Sequence, residues 1–144
     1  MKASDRKPSH LIDAGPLVGW LDGDDQWHDW SVETLRCLSG PLMTSETVFA
    51  EACHHLCELR PALAVLLSMV AEEDLLLAPV AGTEGARLAE LMDRYPKMDL
   101  GDATLVVLSE TFPRLNLVTL DRRDFSIYRR KDGSSVPCLM PHAR

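Results

Sequence analysis

The chain has no long apolar run. Nothing in its 144 residues approaches the roughly 20 consecutive apolar positions of a membrane span. It has no apolar segment behind its charged start, Met1 to Ser9, so that start reads as a short disordered lead rather than a secretory signal. It has no internal repeat, no low-complexity tract and no linker-like stretch. One domain over residues 9–140 is therefore expected, with 1–8 as the lead and 141–144 as a tail. Cysteine is sparse: Cys37, Cys53, Cys57 and Cys138 read as free thiols of a reducing, cytoplasmic setting. Cys53 and Cys57 lie one helical turn apart around His54 and His55. A closed zinc site needs about four N/S ligands, and no second cluster supplies the rest, so small buried thiols are expected instead.

The chain also lacks an excess of positive charge. Asp and Glu number 22 against 15 Lys and Arg, a net charge of −7, which does not suggest a general nucleic-acid binder. The distribution is uneven. Residues 1–113 carry 8 basic and 19 acidic residues, whereas residues 114–144 carry 7 basic and 3 acidic. The basic end contains Arg122, Arg123, Arg129, Arg130 and Lys131, and such a patch can steer a phosphate backbone even on an acidic protein. On charge alone, a solvated surface loop is the simpler reading.

What is present is an ordinary globular composition, 46% hydrophobic and 26% charged, with short strands alternating with helices. Strands are expected at Ser9–Asp13, Gly40–Thr44, Leu75–Ala78 and Asn116–Leu120. Weaker candidates are Ser126–Tyr128 and Val136–Leu139. Helices are expected at Leu17–Leu21, Gln26–Leu38, Glu46–Leu59, Ala62–Glu73, Gly82–Tyr95 and from Asp99 to about Phe112. Arg122–Phe125 reads as a loop or single turn. Thr44 or Ser45 can cap the helix at Glu46, and Asp99 can cap the next-to-last, placing Asp102 at its third position. This order implies a central, mainly parallel sheet of four to five strands with helices on both faces, a three-layer α/β/α sandwich.

In such sheets ligands bind beyond the carboxyl ends of the strands. Asp13 and Asp121 each follow a strand directly. Glu51 and Asp102 lie in the first turns of helices entering from the same edge if the crossovers are right-handed. Singly, each acid is equally well a cap, a turn residue or a solvated helix acid. Together, four converging carboxylates repel, so that one must protonate or cations must compensate them. Hard oxygen donors suit Mg²⁺ or Mn²⁺, and such an ion can activate water for phosphodiester hydrolysis. Arg122 and Arg123 adjoin Asp121 and can neutralise phosphate, while Thr44 or Thr119 can offer a hydroxyl to a bound water.

Four stretches carry a family resemblance. Leu11-Ile-Asp-Ala-Gly-Pro-Leu17, Thr44-Ser-Glu-Thr-Val-Phe-Ala-Glu-Ala52, Met98-Asp-Leu-Gly-Asp-Ala-Thr-Leu105 and Thr119-Leu-Asp-Arg-Arg-Asp-Phe125 resemble the PIN-domain family, most of all its VapC-type toxins. The likeness runs from about Leu11 to Val136, with the four motifs in order. It implies a PIN-like fold and a metal-dependent ribonuclease. By position it makes Asp13, Glu51, Asp102 and Asp121 the catalytic, metal-holding acids, with Asp99 an additional metal-side acid. Asp124 is read as structural. The resemblance further implies a structured RNA substrate of the tRNA or rRNA class, a cognate antitoxin and a homodimer. Arg122, Arg123, Arg129, Arg130 and Lys131 are the candidate RNA-binding residues.

Two other functions compete. A receiver-like phosphoacceptor domain also uses strand-end acids and Mg²⁺, but it needs paired acids after the first strand and a late lysine. Here Asp13 stands alone and Lys131 lies in a polar arm. An aspartyl phosphatase would want a second Asp where Gly15 stands. A PIN-fold interaction module without catalysis would use apolar residues such as Trp20, Trp27, Trp30 and Phe49, although core packing is the simpler role for most of them. The scattered histidines, His10, His28, His54, His55 and His142, receive no general-base role.

Overall fold

A computed structural model describes residues 6–142. The expected lead and tail therefore fall partly outside the described residues, at 1–5 and 143–144. Five strands form one sheet: β1 (His10–Ile12), β2 (Leu42–Ser45), β3 (Leu75–Ala78), β4 (Leu117–Val118) and β5 (Cys138–Leu139). Their order is β3-β2-β1-β4-β5, and every pairing is parallel. Parallel neighbours need crossover connections, which the helices supply. These are α1 (Ala14–Leu21), α2 (His28–Arg36), α3 (Glu46–His55), α4 (Arg60–Ala71), α5 (Val80–Thr83), α6 (Gly85–Arg94), α7 (Leu100–Thr111) and α8 (Arg122–Phe125). The strand order also separates this sheet from the receiver-type order 2-1-3-4-5.

The order reverses at the centre, where β1 lies between β2 and β4. The chain leaves β1 toward one side of the sheet and β4 toward the other, which opens a crevice beyond their carboxyl ends. Asp13 follows β1 and Asp121 lies three residues beyond β4, so both acids stand at that switch point.

Helix α7 is the interior pillar. All residues from Ala103 to Ser109 are buried, and the helix packs on β1, β2, α3 and α6. A helix apolar on nearly all sides belongs inside a domain. Its first turn is fixed sideways: the Thr104 hydroxyl donates to the Gly101 carbonyl at 2.6 Å, and Ser45 Oγ lies 2.8 Å from Thr104 Oγ1. Ser45 also accepts from Val48 N at 3.1 Å, so it, rather than Thr44, caps α3 and ties that cap to α7.

Three expectations differ from the structure. The stretch Gly82–Tyr95 is two helices broken at Glu84, whose φ of −121° leaves the helical range, rather than one. Ser126–Tyr128 is not a strand but a turn, with Ile127 N and Tyr128 N both donating to the Asp124 carbonyl. In the basic segment that follows, the antiparallel contact is a single bridge between Arg129 and Ser135. The Cys53 and Cys57 thiols are also less buried than expected, since Cys53 is half-buried and Cys57 exposed.

Helices α1 and α2 approach closely at Gly19, where a Cβ would meet Ser31 Oγ at 2.6 Å and Ser31 Cβ at 3.4 Å. Ser31 is fully buried and has little freedom to yield. Gly19→Ala is therefore expected to lose about 1–3 kcal/mol to overpacking, against a helix-propensity gain of about 1 kcal/mol. Thermal unfolding should show a melting temperature lower by a few degrees, and adding Ser31→Ala should recover it. A Gly19→Ala protein that melts higher than the parent would show that the helices have slack.

Candidate active site

Three of the site's acids are also helix caps. Asp13 Oδ1 accepts from Ala14 N at 2.8 Å and starts α1. Asp99 Oδ1 accepts from Asp102 N at 2.8 Å and starts α7, as expected from the sequence. Asp121 Oδ1 accepts from Asp124 N at 3.0 Å and starts α8. The capping reading and the site reading are thus the same geometry, because helix starts at a sheet's carboxyl edge place capping carboxylates around the crevice.

The crevice is a cleft of about 460 Å³ lined by Asp13, Glu51, Asp99, Asp102, Asp121 and Asp124. All five acids expected at the metal are brought to it. Asp102, Asp121 and Asp124 form its tightest group, each offering a carboxylate oxygen within 4.8 Å of the other two. Asp13, Glu51 and Asp99 line the cleft around that trio. Asp124, assigned a structural part from the sequence, therefore stands with the metal-capable acids. It occupies the third position of the four-residue helix α8, in a stretch expected from the sequence to be a loop or single turn.

The charges are crowded enough to move their protons. Burial pushes the Asp102 carboxyl up to about 7, against the hydrogen bond from Tyr128, with the charges of Asp99, Asp13 and Asp121 adding to the rise. Burial also pushes Asp13 up to about 6, opposed by hydrogen bonds from Thr119 and Ala14 N and reinforced by Glu51 and Asp121. Asp121 is raised as well, first by burial. Such clusters gain their ionised form when a cation binds. Three oxygens of this hardness at this spacing fit a divalent ion of the Mg²⁺ or Mn²⁺ kind, and no cysteine or histidine joins the trio.

Two hydroxyls hold the acids in place. Thr119, fully buried, donates to Asp13 Oδ2 at 2.9 Å and accepts from Asp121 N at 3.1 Å, bridging the acids beyond β1 and β4. Thr44 is buried on β2 with no hydrogen-bond partner and is not in the cleft lining. Tyr128 is the other positioning residue. Its hydroxyl donates to Asp102 Oδ2 at 2.7 Å, and its ring packs edge-on against Tyr95 and Phe125. Burial and the adjacent Asp102 raise the phenol's pKa, so it remains a donor. Sequence reading missed it because its segment looked like a strand.

Tyr128→Phe keeps the packed ring and removes one hydrogen bond to a charged group, an interaction worth about 1.5–3 kcal/mol. We expect an Mn²⁺ affinity about tenfold weaker, measured by calorimetric titration, with the melting temperature shifted by only a few degrees. Unchanged Mn²⁺ affinity would remove the positioning role.

Three arginines of the basic end, Arg122, Arg129 and Arg130, are hydrogen-bonded into the fold. None of Arg122, Arg123, Arg129, Arg130 and Lys131 lines the cleft. Arg130 donates to the Ser109 and Pro113 carbonyls at 3.1 and 3.0 Å and to Ser134 Oγ at 2.8 Å, clamping the arm to the end of α7. Arg129 Nη1 donates to the carbonyls of Ser126, Ile127 and Tyr128, and Arg122 Nη2 to that of Pro141 at 2.6 Å. Lys131 N donates to Glu110, which Arg87 holds at 2.8 Å. Arg122 and Arg123 are both exposed, and the Arg123 carbonyl accepts from Ser126 Oγ at 2.8 Å. The cleft's own basic residues are Lys97, ahead of the α7 cap, and His55, whose Nε2 lies 3.9 Å from Glu51 Oε1. Lys97 was not singled out from the sequence, and His55 was given no role there.

No family model and no curated protein matches the sequence. Solved structures do match. VapC20 of Mycobacterium tuberculosis, described as a Sarcin-Ricin loop cleaving toxin, superposes with a TM-score of 0.68 at 15% identity, covering 76% of this chain and 87% of that one. One chain of a toxin–antitoxin complex from Klebsiella pneumoniae superposes with a TM-score of 0.67 at 17% identity, covering 94% of this chain and all of that one. The parallel five-stranded sheet with its flanking helices is a PIN-like α/β/α fold. VapC20 and the toxin–antitoxin chain share that fold.

Proposed function

We propose that the protein is a Mg²⁺- or Mn²⁺-dependent endoribonuclease, the toxin of a toxin–antitoxin pair. The observation that carries the reading is the Asp102–Asp121–Asp124 trio at the sheet's switch point, ringed by Asp13, Glu51 and Asp99. An acid cluster with two carboxyls raised to about 6 and 7 is poised to bind a cation. The VapC-like fold, shared with a toxin described as cleaving the Sarcin-Ricin loop, favours RNA of the rRNA or tRNA class. The toxin–antitoxin complex favours a cognate antitoxin as partner. A homodimer acting in the cytoplasm completes the reading, and no helix of the described residues is long and apolar enough to cross a membrane.

Asp102, Asp121 and Asp124 would hold the ion, with Asp13, Glu51 and Asp99 shaping the surrounding charge. A bound divalent ion supplies Lewis acidity at a phosphoryl oxygen and a lowered pKa for an attacking water. The chain's own contribution is positional. Tyr128 fixes the Asp102 carboxylate, Thr119 fixes Asp13 against the Asp121 backbone, and Lys97 brings positive charge to the cleft that takes the phosphate.

The test is incubation of the purified chain with a total small-RNA pool in Mg²⁺, in Mn²⁺ and in EDTA. Discrete products that require metal are expected. RNA that is bound but never cut across several divalent metals would turn the reading toward a non-catalytic interaction module.

A further inference from the structure

The cleft has a second part that phosphoryl chemistry does not use. Beside the acids, it is lined by Asp25, Gln26 and Trp27 from the α1–α2 connection and by Val18 of α1. The Trp27 ring and the Val18 side chain bring a metal or a phosphate neither charge nor a ligand oxygen, and the Gln26 carboxamide beside them offers both a donor and an acceptor. They are the groups that hold a planar heterocycle, by stacking and by hydrogen bonds to its edge.

Size points the same way. A hydrated ion takes less than about 100 Å³ when each water position needs about 10–15 Å³. The cleft, at about 460 Å³, is several times larger and falls in the range of small-ligand pockets, about 300–1,000 Å³. Charge points there too. With Arg122, Arg129 and Arg130 hydrogen-bonded to backbone carbonyls, Lys97 is the one lysine or arginine among the described residues that line the cleft, against seven acids. Phosphate attraction is thus weak for a polyanion, and contacts to the bases must supply more of the affinity.

The α1–α2 connection is also held rigidly. Asp25 Oδ1 accepts from Trp27 N at 2.8 Å, Asp22 Oδ1 accepts from Asp24 N at 3.0 Å, and His28 N donates to the Asp25 carbonyl at 3.0 Å. The His28 ring is pinned to the Gly19 carbonyl at 2.8 Å. A surface held in this way loses little entropy when a ligand settles on it.

We propose that Gln26 and Trp27 form a nucleobase subsite, which takes one unstacked base of a single-stranded RNA segment beside the scissile phosphate. Trp27 is the stacking surface and Gln26 reads the base edge. The proposal rests on the ribonuclease reading and specifies the part of the RNA that the site accepts. A-form duplexes keep their bases stacked, so the target lies in a loop, a bulge or an end.

The test uses the full chain carrying Asp102→Asn, which keeps RNA intact, in Mn²⁺. The probes are a labelled short single-stranded oligoribonucleotide, the same oligonucleotide with one abasic position placed at each site in turn, and its duplex. Stacking on an aromatic side chain is worth about 1–3 kcal/mol per base. Trp27→Ala should therefore weaken single-strand binding by about tenfold, whereas Trp27→Phe should stay within about threefold. One abasic position should weaken binding to the Trp27 protein and make no further difference to Trp27→Ala. The duplex should bind less tightly than the single strand. Equal single-strand affinities for Trp27 and Trp27→Ala, or the same abasic profile in both, would overturn the subsite and leave the ribonuclease reading standing. An oligonucleotide that neither protein binds would overturn both. If Trp27→Ala fails to fold, tryptophan fluorescence decides: RNA should quench the parent more than Trp27→Phe, and equal quenching overturns the subsite.

Discussion

Replacing Asp102 with asparagine is expected to abolish the proposed RNA cleavage and at the same time to raise the melting temperature of the metal-free protein. Both effects come from one carboxylate. Asp102 belongs to the tight trio, and its proton is held up to about 7 by burial and by neighbouring acids. Asparagine keeps an oxygen for the Tyr128 hydroxyl and removes the charge that an ion would need. Loss of a group that stabilises charge in the transition state lowers the rate by about 10²–10³ or more. In the metal-free protein at pH 8 the same substitution relieves a desolvated, repelled anion. Asp102 is partly open to solvent, which screens part of the gain, so about 1–2 kcal/mol is expected. In a chain of this length that corresponds to a rise of about 2–8 °C. Cleavage at the parent's rate would sink the assigned site, and a lower melting temperature would contradict the charge argument.

The second large effect is on pH. The ordinary aspartate value here is 3.8, while Asp13 stands near 6 and Asp102 near 7. A carboxyl with a raised value in the folded state binds its proton more tightly there than in the unfolded chain. Between about pH 4 and 7 the folded state therefore holds more protons, and stability falls as pH rises through that window. Two pKa units on Asp13 correspond to about 3 kcal/mol, and Asp102, more exposed, adds a smaller increment. The metal-free protein should melt several degrees lower at pH 8 than at pH 5.5. Millimolar Mg²⁺ or Mn²⁺ should reverse the difference at pH 8 and do little at pH 5.5, where protons compete for the same oxygens. Melting curves in EDTA and in Mn²⁺ at the two pH values check this. A metal-free protein more stable at pH 8 would show that the acids are compensated from within the chain.

How much of this was legible in the sequence depended on how local the cause was. Asp13 was readable because it follows an apolar strand directly, Asp121 because it ends the apolar run Leu117 to Leu120, and the Asp99 cap because the apolar body of α7 follows it. The five parallel strands followed from strands alternating with helices. What could not be read was set by packing. Lys97, His55 and Trp27 reach the cleft from separate elements, and nothing in their own neighbourhoods announces it. The hydrogen bonding of the basic arm could not be read either, because net charge does not reveal which arginines face solvent and which face carbonyls. Arg130 is bound to the end of α7 by geometry that only the folded chain supplies. Tyr128 lay in a stretch that alternates like a strand, but the Asp124 carbonyl takes its backbone N–H into a turn instead.

The double duty of Asp13, Asp99 and Asp121 has an evolutionary consequence. Each gives one carboxylate oxygen to the first turn of a helix while facing the cleft. Alanine at any of them removes a helix start as well as a charge, a loss of about 1 kcal/mol that a small domain feels. Asparagine caps about as well as aspartate. A lineage that gave up the chemistry and kept the protein would therefore pass through Asp-to-Asn exchanges, each reachable by one base change. Silent descendants of this chain should carry that signature at positions 13, 99 and 121, in preference to alanine or glycine.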